Sequence, residues 1–432
     1  DEDSITMAVA AAMECLAGID LETVDGVLLA STSAPFREKQ ASSLIAGALG
    51  LRRDIKTADY AHSLRAATQA LSASADAVET GRCRNVLVLA SDCRLAAPGS
   101  DLERNFGDGA AALLVGGESG AARITADHSI SSEFIGVWRT GDDPYVRSWE
   151  DRFVLKEGYA REVRTVVESL LADSGYRARD FDHVAVYGPD PRSHAALLTS
   201  LGLQRKAEAI RLLFERVGNT GAAFAPMMLV AALEVSGPGQ KILLVSQGDG
   251  ADAFVVEVTG RISADSLKQS LCYRSRRPKY IPNYSKYLNI RSILERDPQR
   301  LPDDLSSLPL WWRDHVQTIG LYGQKCRVCG MVAFPKQRIC PGCQTKDQAE
   351  DYRLANKKGT LFTFTRDFLV PTPNPPTVTA FVDFEGGGRI FCELTDIDPD
   401  EVAIGSPVET TFRRIHDAGG LPHYGWKCRP EG

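Results

Sequence analysis

The stretch Cys326–Cys343, CRVCGMVAFPKQRICPGC, constrains this chain more than any other. Cys326, Cys329, Cys340 and Cys343 form CxxC, ten intervening residues and a second CxxC. Two such knuckles bring four thiolates to one tetrahedral point, which suits zinc or a single iron in a closed, structural site. Two disulfides would need an oxidising compartment, and a redox motif needs one CxxC rather than two. The spacing therefore predicts a small metal-stapled module; structural Zn2+ is the expected ion, and the spacing itself leaves iron open.

Beyond the knuckles and the charged turn Lys346–Arg353, short runs are rich in β-branched and aromatic residues: Gly359–Arg366, Thr377–Phe384, Arg389–Leu394 and Val408–Arg413. Pro- and Gly-rich turns separate them, and Gly386–Gly388 marks a tight hairpin, so a small all-β barrel is expected. The order knuckles, GTLFTFT, VDFEGGGR, ELTDIDPDEVAIGSPVE and YGWKCRP resembles the zinc-ribbon-plus-OB-fold family that accompanies thiolases and 3-hydroxy-3-methylglutaryl-CoA synthases. That resemblance implies a rubredoxin-like zinc ribbon over residues 319–350 and an OB-fold domain over 351–432. An OB fold also invites a nucleic-acid reading. A phosphate-tracking groove wants positive charge, whereas the chain has 50 Lys+Arg against 56 Asp+Glu and the barrel carries Asp383, Glu385, Glu393, Asp396, Asp398, Asp400 and Glu401. Charge disfavours nucleic acid.

With 432 residues, 44% hydrophobic and 25% charged, the composition is that of a globular chain of two or three domains. No apolar run reaches the length of a membrane span, and the opening DEDSITMAVAA lacks the basic start and apolar core of a signal peptide. Cysteines outside the knuckles (Cys15, Cys83, Cys93, Cys272, Cys392, Cys428) have no framework spacing, which points to a reducing cytoplasm.

Residues 1–262 alternate helix and strand, within a first domain expected over 1–295. Helices are expected over Asp3–Leu16, Ser42–Leu49, His62–Thr80, Tyr159–Ser174, Ser193–Ser200 and Ala222–Val235. Strands are expected over Val27–Ser31, Ile55–Tyr60, Asn85–Asp92, Ala110–Val115, Arg123–Ile130, His183–Tyr187, Lys241–Ser246 and Ala253–Val258. Two halves of similar order predict a duplicated, layered α/β domain. Phe106–Gly116 (FGDGAAALLVG), Glu133–Val146 (EFIGVWRTGDDPYV), Val217–Pro226 (VGNTGAAFAP) and Leu243–Phe254 (LLVSQGDGADAF) together resemble the thiolase superfamily, on the branch of 3-hydroxy-3-methylglutaryl-CoA synthase and ketoacyl synthase III. Pro278–Leu294 is similar to the Tyr-rich tail of that branch. The resemblance also implies a further strand ahead of the first helix.

The departures from that family concern its chemistry. The resemblance implies a cysteine nucleophile at the start of the long buried helix, where the helix dipole favours a thiolate. In DYAHSLRAATQAL that position is Leu64. Ser63 has a hydroxyl, but one residue earlier on a helix points about a hundred degrees away. The implied histidine falls on Gly188 in VAVYGPDP, with His194 further along as a surface or packing histidine, and the implied acid falls on Thr32 in LASTSAPF. Asn219 in GNTGAA matches the asparagine that hydrogen-bonds a thioester or oxyanion, or else forms an Asx turn ahead of a helix. Asp249, between Gly248 and Gly250 on a pocket-facing loop of the family, could serve as a base, bind an arginine or cap a helix. The substrate-binding set is thus Thr32, Ser63, Leu64, Gly188 and Asn219, with Asn219 and Asp249 the catalytic candidates.

Residues 296–318 are expected to form a linker helix whose Trp311 and Trp312 pack on a neighbour. The resemblance implies an acyl-CoA ligand and a homodimer or a thiolase-type protein partner. Two readings stand beside the disfavoured nucleic-acid one. The first is an enzyme making or breaking carbon–carbon bonds on CoA thioesters without the usual cysteine, as an acyltransferase or synthase or by an aldol-type step. The second is a non-catalytic CoA-binding subunit of a thiolase or acyltransferase assembly.

Overall fold

The computed structural model describes all residues except 118–119, 142, 207–212, 261–280, 295–306, 371, 373 and 432. The first part of the expected linker, the start of the Tyr-rich tail and Cys272 lie outside the described residues. The chain divides into two compact units: Asp3–Ala46 with Leu51–Pro278, and Lys279–Gly432 with Asp1–Glu2 and Gly47–Gly50.

In the first unit two four-stranded sheets repeat one scheme. The longer helices among the described residues are α1 (Ser4–Cys15), α2 (Ala41–Leu49, whose last turn falls in the other unit), α3 (Ala66–Glu79), α4 (Arg161–Ser174), α5 (Pro191–Ser200) and α6 (Phe224–Val235). The strands of these two sheets are β1 (Val24–Ala30), β2 (Lys56–Tyr60), β3 (Asn85–Asp92), β4 (Gly109–Gly116), β5 (Ala122–Ser131), β6 (His183–Val186), β7 (Lys241–Gln247) and β8 (Gly250–Val258). One sheet runs β2-β1-β3-β4 and the other β5-β8-β7-β6. In each, a parallel pair leads into an antiparallel hairpin: β1 with β3 and then β4, β6 with β7 and then β8. This is the duplicated, layered α/β fold expected from the sequence.

Local chemistry explains these elements. Asp3 caps α1 by accepting from the Ile5 and Thr6 amides at 2.9 and 3.0 Å, and Thr6 Oγ1 accepts from the Asp3 amide in return. Strand β3 is buried along almost its whole length because sheet neighbours flank it and helices cover it, hence the run VLVLAS. Helix α6 is apolar on every side and buries Phe224, Met227, Met228 and Leu229, whereas α4 buries only the stripe Val163, Val166, Val167 and Leu170 beside Glu162. A helix expected from His62 instead begins at Ala66. His62 takes a left-handed φ of +69°, and tertiary hydrogen bonds hold residues 62–65 in a turn.

In the second unit, helix α7 (Leu308–Thr318) starts behind the Ser307 cap. Of the pair, Trp312 is not the packed anchor expected, being 60% exposed with its ring stacked on His315 at 4.8 Å, whereas Trp311 is half-buried. Strands β9 (Tyr322–Cys326), β10 (Val332–Ala333) and β11 (Ala349–Arg353) form the small sheet that carries the knuckles. The closed barrel comprises β12 (Lys358–Asp367), β13 (Thr377–Phe384), β14 (Arg389–Leu394), β15 (Pro407–Ala418) and β16 (Leu421–Pro430), in the order β12-β13-β14-β16-β15. The OB-type barrel is as expected, with one strand more than the propensities indicated. LPHYGWKCRP carries prolines and a glycine, and it is a strand because β15 pairs with it from Val408–Pro430 to Ala418–Leu421. Gly386, Gly387 and Gly388 have φ of +83°, +103° and +95°, a run only glycine sustains cheaply.

Candidate functional site

Leu64 stands in the turn before α3 and is 9% exposed, packed in one apolar core with Tyr187, Phe214 and Phe224. Ser63 Oγ donates to the Gly248 carbonyl at 2.8 Å, and Ser246 Oγ donates to the Leu64 carbonyl at 3.3 Å. Ser63 and Leu64 therefore diverge because a turn is pinned to the β7–β8 loop, not because of helical rotation. The Ser63 hydroxyl is spent on that pin. Arg65 Nη1 donates to Asp252 at 3.0 Å and to the Ile130 carbonyl at 2.8 Å, and Nη2 donates to the Asp249 carbonyl at 3.0 Å. Asp252 also accepts from Thr68 Oγ1 at 2.7 Å, which compensates its burial.

Thr32 gives its hydroxyl to Asp92 Oδ2 at 2.8 Å and its amide to Asp92 Oδ1 at 2.7 Å. The Asp92 carboxylate, fully buried, also accepts from Ser31 Oγ, Ser33 Oγ and the Ala222 amide. It pins the loop after β1 to the segment preceding α6.

Gly188 has no side chain because His194 fills the space: a Cβ there would lie 2.7 Å from His194 Cβ and 2.8 Å from its Cδ2. His194 is buried, not at the surface, and tilts against Phe214 at 5.4 Å. Burial holds its imidazole down to about 4, so the ring is neutral near neutral pH. Asn219 is 1% exposed. Its Oδ1 accepts from Arg94 Nη2 at 2.8 Å and from the Gly221 amide at 2.9 Å, the latter closing an Asx turn. Its Nδ2 faces Tyr187 Oη and the Gly188 and Pro189 carbonyls at 3.1 to 3.2 Å. Both ends of the amide are thus engaged within the fold. Burial pushes the Tyr187 phenol up, against the pull of Arg94.

The structure brings Asp249 to a cavity of about 410 Å3 whose apolar wall is Phe134, Ile135, Val137 and Trp138 and whose polar lining includes Arg65 and Glu133. Asp249 is exposed and has a left-handed φ of +51°, a conformation that costs a non-glycine residue and often marks functional loops. A second cavity, of about 480 Å3, shares Ser132 and Phe134 with the first and adds Phe153 and Glu162. Sequence reasoning did not single out Glu162. The signal was a carboxylate set one turn before Val166 on the apolar stripe of α4.

The four knuckle sulfurs lie within 4.8 Å of one another. Cys326 Sγ is 3.6 Å from Cys343 Sγ, and Cys329 Sγ is 3.6 Å from Cys340 Sγ. A tetrahedron with metal–sulfur bonds of about 2.3 Å needs edges of roughly 3.8 Å, so the donor set fits a single tetrahedral ion. The knuckles share one geometry: Gly330 N donates to the Cys326 carbonyl and Gln344 N to the Cys340 carbonyl, both at 2.9 Å with positive φ. Hydrogen bonding to Thr345 draws the Cys343 thiol down to about 6, toward the thiolate a metal requires.

Fold and cysteine site together define a thiolase-like α/β protein with an OB-fold module. Residues 171–258 match the family model for the 3-oxoacyl-[acyl-carrier-protein (ACP)] synthase III C terminal, and residues 352–413 match that for the ChsH2 C-terminal OB-fold domain. Among solved structures, an HMG-CoA synthase complexed with CoA aligns with a TM-score of 0.58 and 22% identity over 66% of this chain and 77% of that one. MvaS in complex with 3-hydroxy-3-methylglutaryl coenzyme A also aligns with a TM-score of 0.58, at 18% identity over 70% and 83%. The hydroxymethylglutaryl-CoA synthase of Archaeoglobus fulgidus is 31% identical over 67% of this chain and 85% of its own length. That of Aeropyrum pernix is 32% identical over 68% and 82%. The chain belongs to the hydroxymethylglutaryl-CoA synthase family.

Proposed function

We propose that this protein binds CoA thioesters and takes part in making or breaking carbon–carbon bonds on them without a covalent acyl-enzyme. The observation that carries the reading is Leu64. The position that the resemblance implies for the nucleophile holds a buried aliphatic side chain, its neighbour Ser63 is tied to Gly248, and an amphipathic cavity opens beside Arg65. Phe134, Ile135, Val137 and Trp138 suit an acyl group, and Asp249 supplies a carboxylate at its polar side. Structures similar to this one are complexes with CoA and with 3-hydroxy-3-methylglutaryl coenzyme A, which supports a CoA thioester as the ligand.

A second reading is a non-catalytic CoA-binding subunit within a homodimer or a thiolase-type assembly. It is favoured by the engagement of Asn219 and Thr32 in internal hydrogen bonds. In both readings Zn2+ at the four cysteines is structural and the protein works in the reducing cytoplasm. No described helix is long and apolar enough to cross a membrane.

Calorimetric titration with acetyl-CoA and longer acyl-CoAs, followed by intact-mass measurement, tests the proposal. Binding with no covalent adduct is expected. An acyl adduct would overturn the nucleophile-free reading, and absence of binding would remove CoA thioesters altogether. Turnover by the isolated chain would exclude the non-catalytic reading.

A further inference from the structure

Phe134 is common to both cavities, and the fold provides a seat for its ring. The ring lies so close over Gly158 that a Cβ there would stand 2.6 Å from Cε1, 2.9 Å from Cδ1 and 3.3 Å from Cζ. Glycine at position 158 is what lets the phenyl rest against the backbone of Val154–Ala160, the π-helical segment before α4. The ring also stacks on Phe153, with centroids 6.0 Å apart and planes 18° from parallel. This seat is held from behind. Gly158 and Tyr159 are buried, and Tyr159 Oη donates to the Tyr187 carbonyl at 2.9 Å, which ties the segment to the residue that follows β6.

The two cavities meet at Ser132 and Phe134, the residues that their linings share. A serine side chain is small, so the phenyl ring is the bulk that stands between them. On one side of it lie Ile135, Val137 and Trp138, and on the other the apolar wall continues over Ile130 and Phe153. A chain of methylenes that follows the first wall therefore runs into the ring, although apolar surface is available beyond it.

We infer that Phe134 sets the length of acyl group this protein accepts: the chain of a CoA thioester lies along Ile135, Val137 and Trp138 and stops at the phenyl ring. The assignment rests on the CoA-thioester reading above. Phe134 acts by contact with the end of the chain, and Gly158 acts through Phe134 by deciding where the ring sits. Removing the ring joins the two cavities. Adding a Cβ at residue 158, whose helical backbone tolerates one, drives the ring out of its seat and into the space that the chain occupies.

Calorimetry on the full chain reads this limit, with acetyl-, butyryl-, hexanoyl-, octanoyl- and decanoyl-CoA as probes. Wild-type affinity should rise about fourfold for each methylene that fits and then fall at the first chain too long for the first cavity. Phe134→Ala should move that fall to longer chains and tighten decanoyl-CoA about tenfold or more, with acetyl-CoA unchanged. Gly158→Ala should move the fall to shorter chains. Circular dichroism checks that each variant folds. Phe134→Leu, which removes less of the ring's volume, should shift the fall part of the way, and it decides where an alanine variant does not fold. No fall through decanoyl-CoA in the wild type, a fall that stays in place in the Phe134 variants, or an equal loss at every chain length overturns the assignment while leaving the CoA-thioester reading intact. No binding of any acyl-CoA by the wild type removes both.

Discussion

The substitution Asp92→Asn should destabilise this protein more than its small change in shape suggests. Each Asp92 oxygen accepts one backbone amide that cannot rotate away: Thr32 N reaches Oδ1 at 2.7 Å and Ala222 N reaches Oδ2 at 2.8 Å. The Ser31, Thr32 and Ser33 hydroxyls that complete the shell can turn to accept, but those two amides cannot. Whichever way the introduced carboxamide is flipped, its NH2 meets a backbone N–H. One buried donor loses its partner, at about 1–3 kcal/mol, and the remaining bonds lose their charge assistance. Since Asp92 is fully buried, no water replaces them, and a total of about 2–4 kcal/mol is expected. Urea unfolding followed by circular dichroism measures the loss. Hydrogen exchange locates it, with the Thr32 and Ala222 amides losing protection first. A destabilisation below about 0.5 kcal/mol, or unchanged protection at both amides, would refute this account of the pin.

Four further outcomes are expected. Asp252→Ala leaves Arg65 buried without its counter-charge and should cost about 3–5 kcal/mol in the same urea experiment. His194 titrates at about 4 in the folded chain against 6.5 when unfolded, so the unfolded state takes up protons first as pH falls. The contribution of the neutral ring is present above pH 6.5 and is lost between about 6.5 and 4, amounting to roughly 3 kcal/mol; His194→Phe should flatten that part of the stability–pH curve. Cys340→Ser should abolish stoichiometric metal in elemental analysis, and a chelator should lower the thermal midpoint of the wild type but not of the variant. Gly188→Val should be destabilising by about 1–3 kcal/mol unless combined with His194→Ala, because the new side chain and the imidazole compete for one space.

The sequence by itself determined whatever depends on local pattern. CxxC spacing alone placed four sulfurs together, because each knuckle closes through bonds within a few residues, from Gly330 to Cys326 and from Gln344 to Cys340. The alternating runs of the barrel and the duplicated order of helices and strands were legible for the same reason: periodicity follows from which face a residue must bury. The four glycine-bearing motifs likewise identified the thiolase-like domain, and Leu64, Gly188 and Thr32 stood out where that resemblance places reactive groups.

Tertiary structure decided what those positions do. The turn at residues 62–65, read as helix from its alanine-rich continuation, is bent by partners far along the chain, Ser246 and Gly248. Strand β16 exists through its pairing with β15 along its length and with β14 at Cys428. Asn219, equally readable as an oxyanion donor or a turn residue, has its amide engaged by Arg94, Gly221, Tyr187 and the carbonyls after β6, none of them sequence neighbours apart from Gly221. Glu162 resembles many helix-starting glutamates in the sequence, and only folding buries it against a cavity with one oxygen unspent. Hydrogen-bond satisfaction and cavity shape are set by groups that converge from distant parts of the chain, and neither can be read from the spacing of residues within one segment.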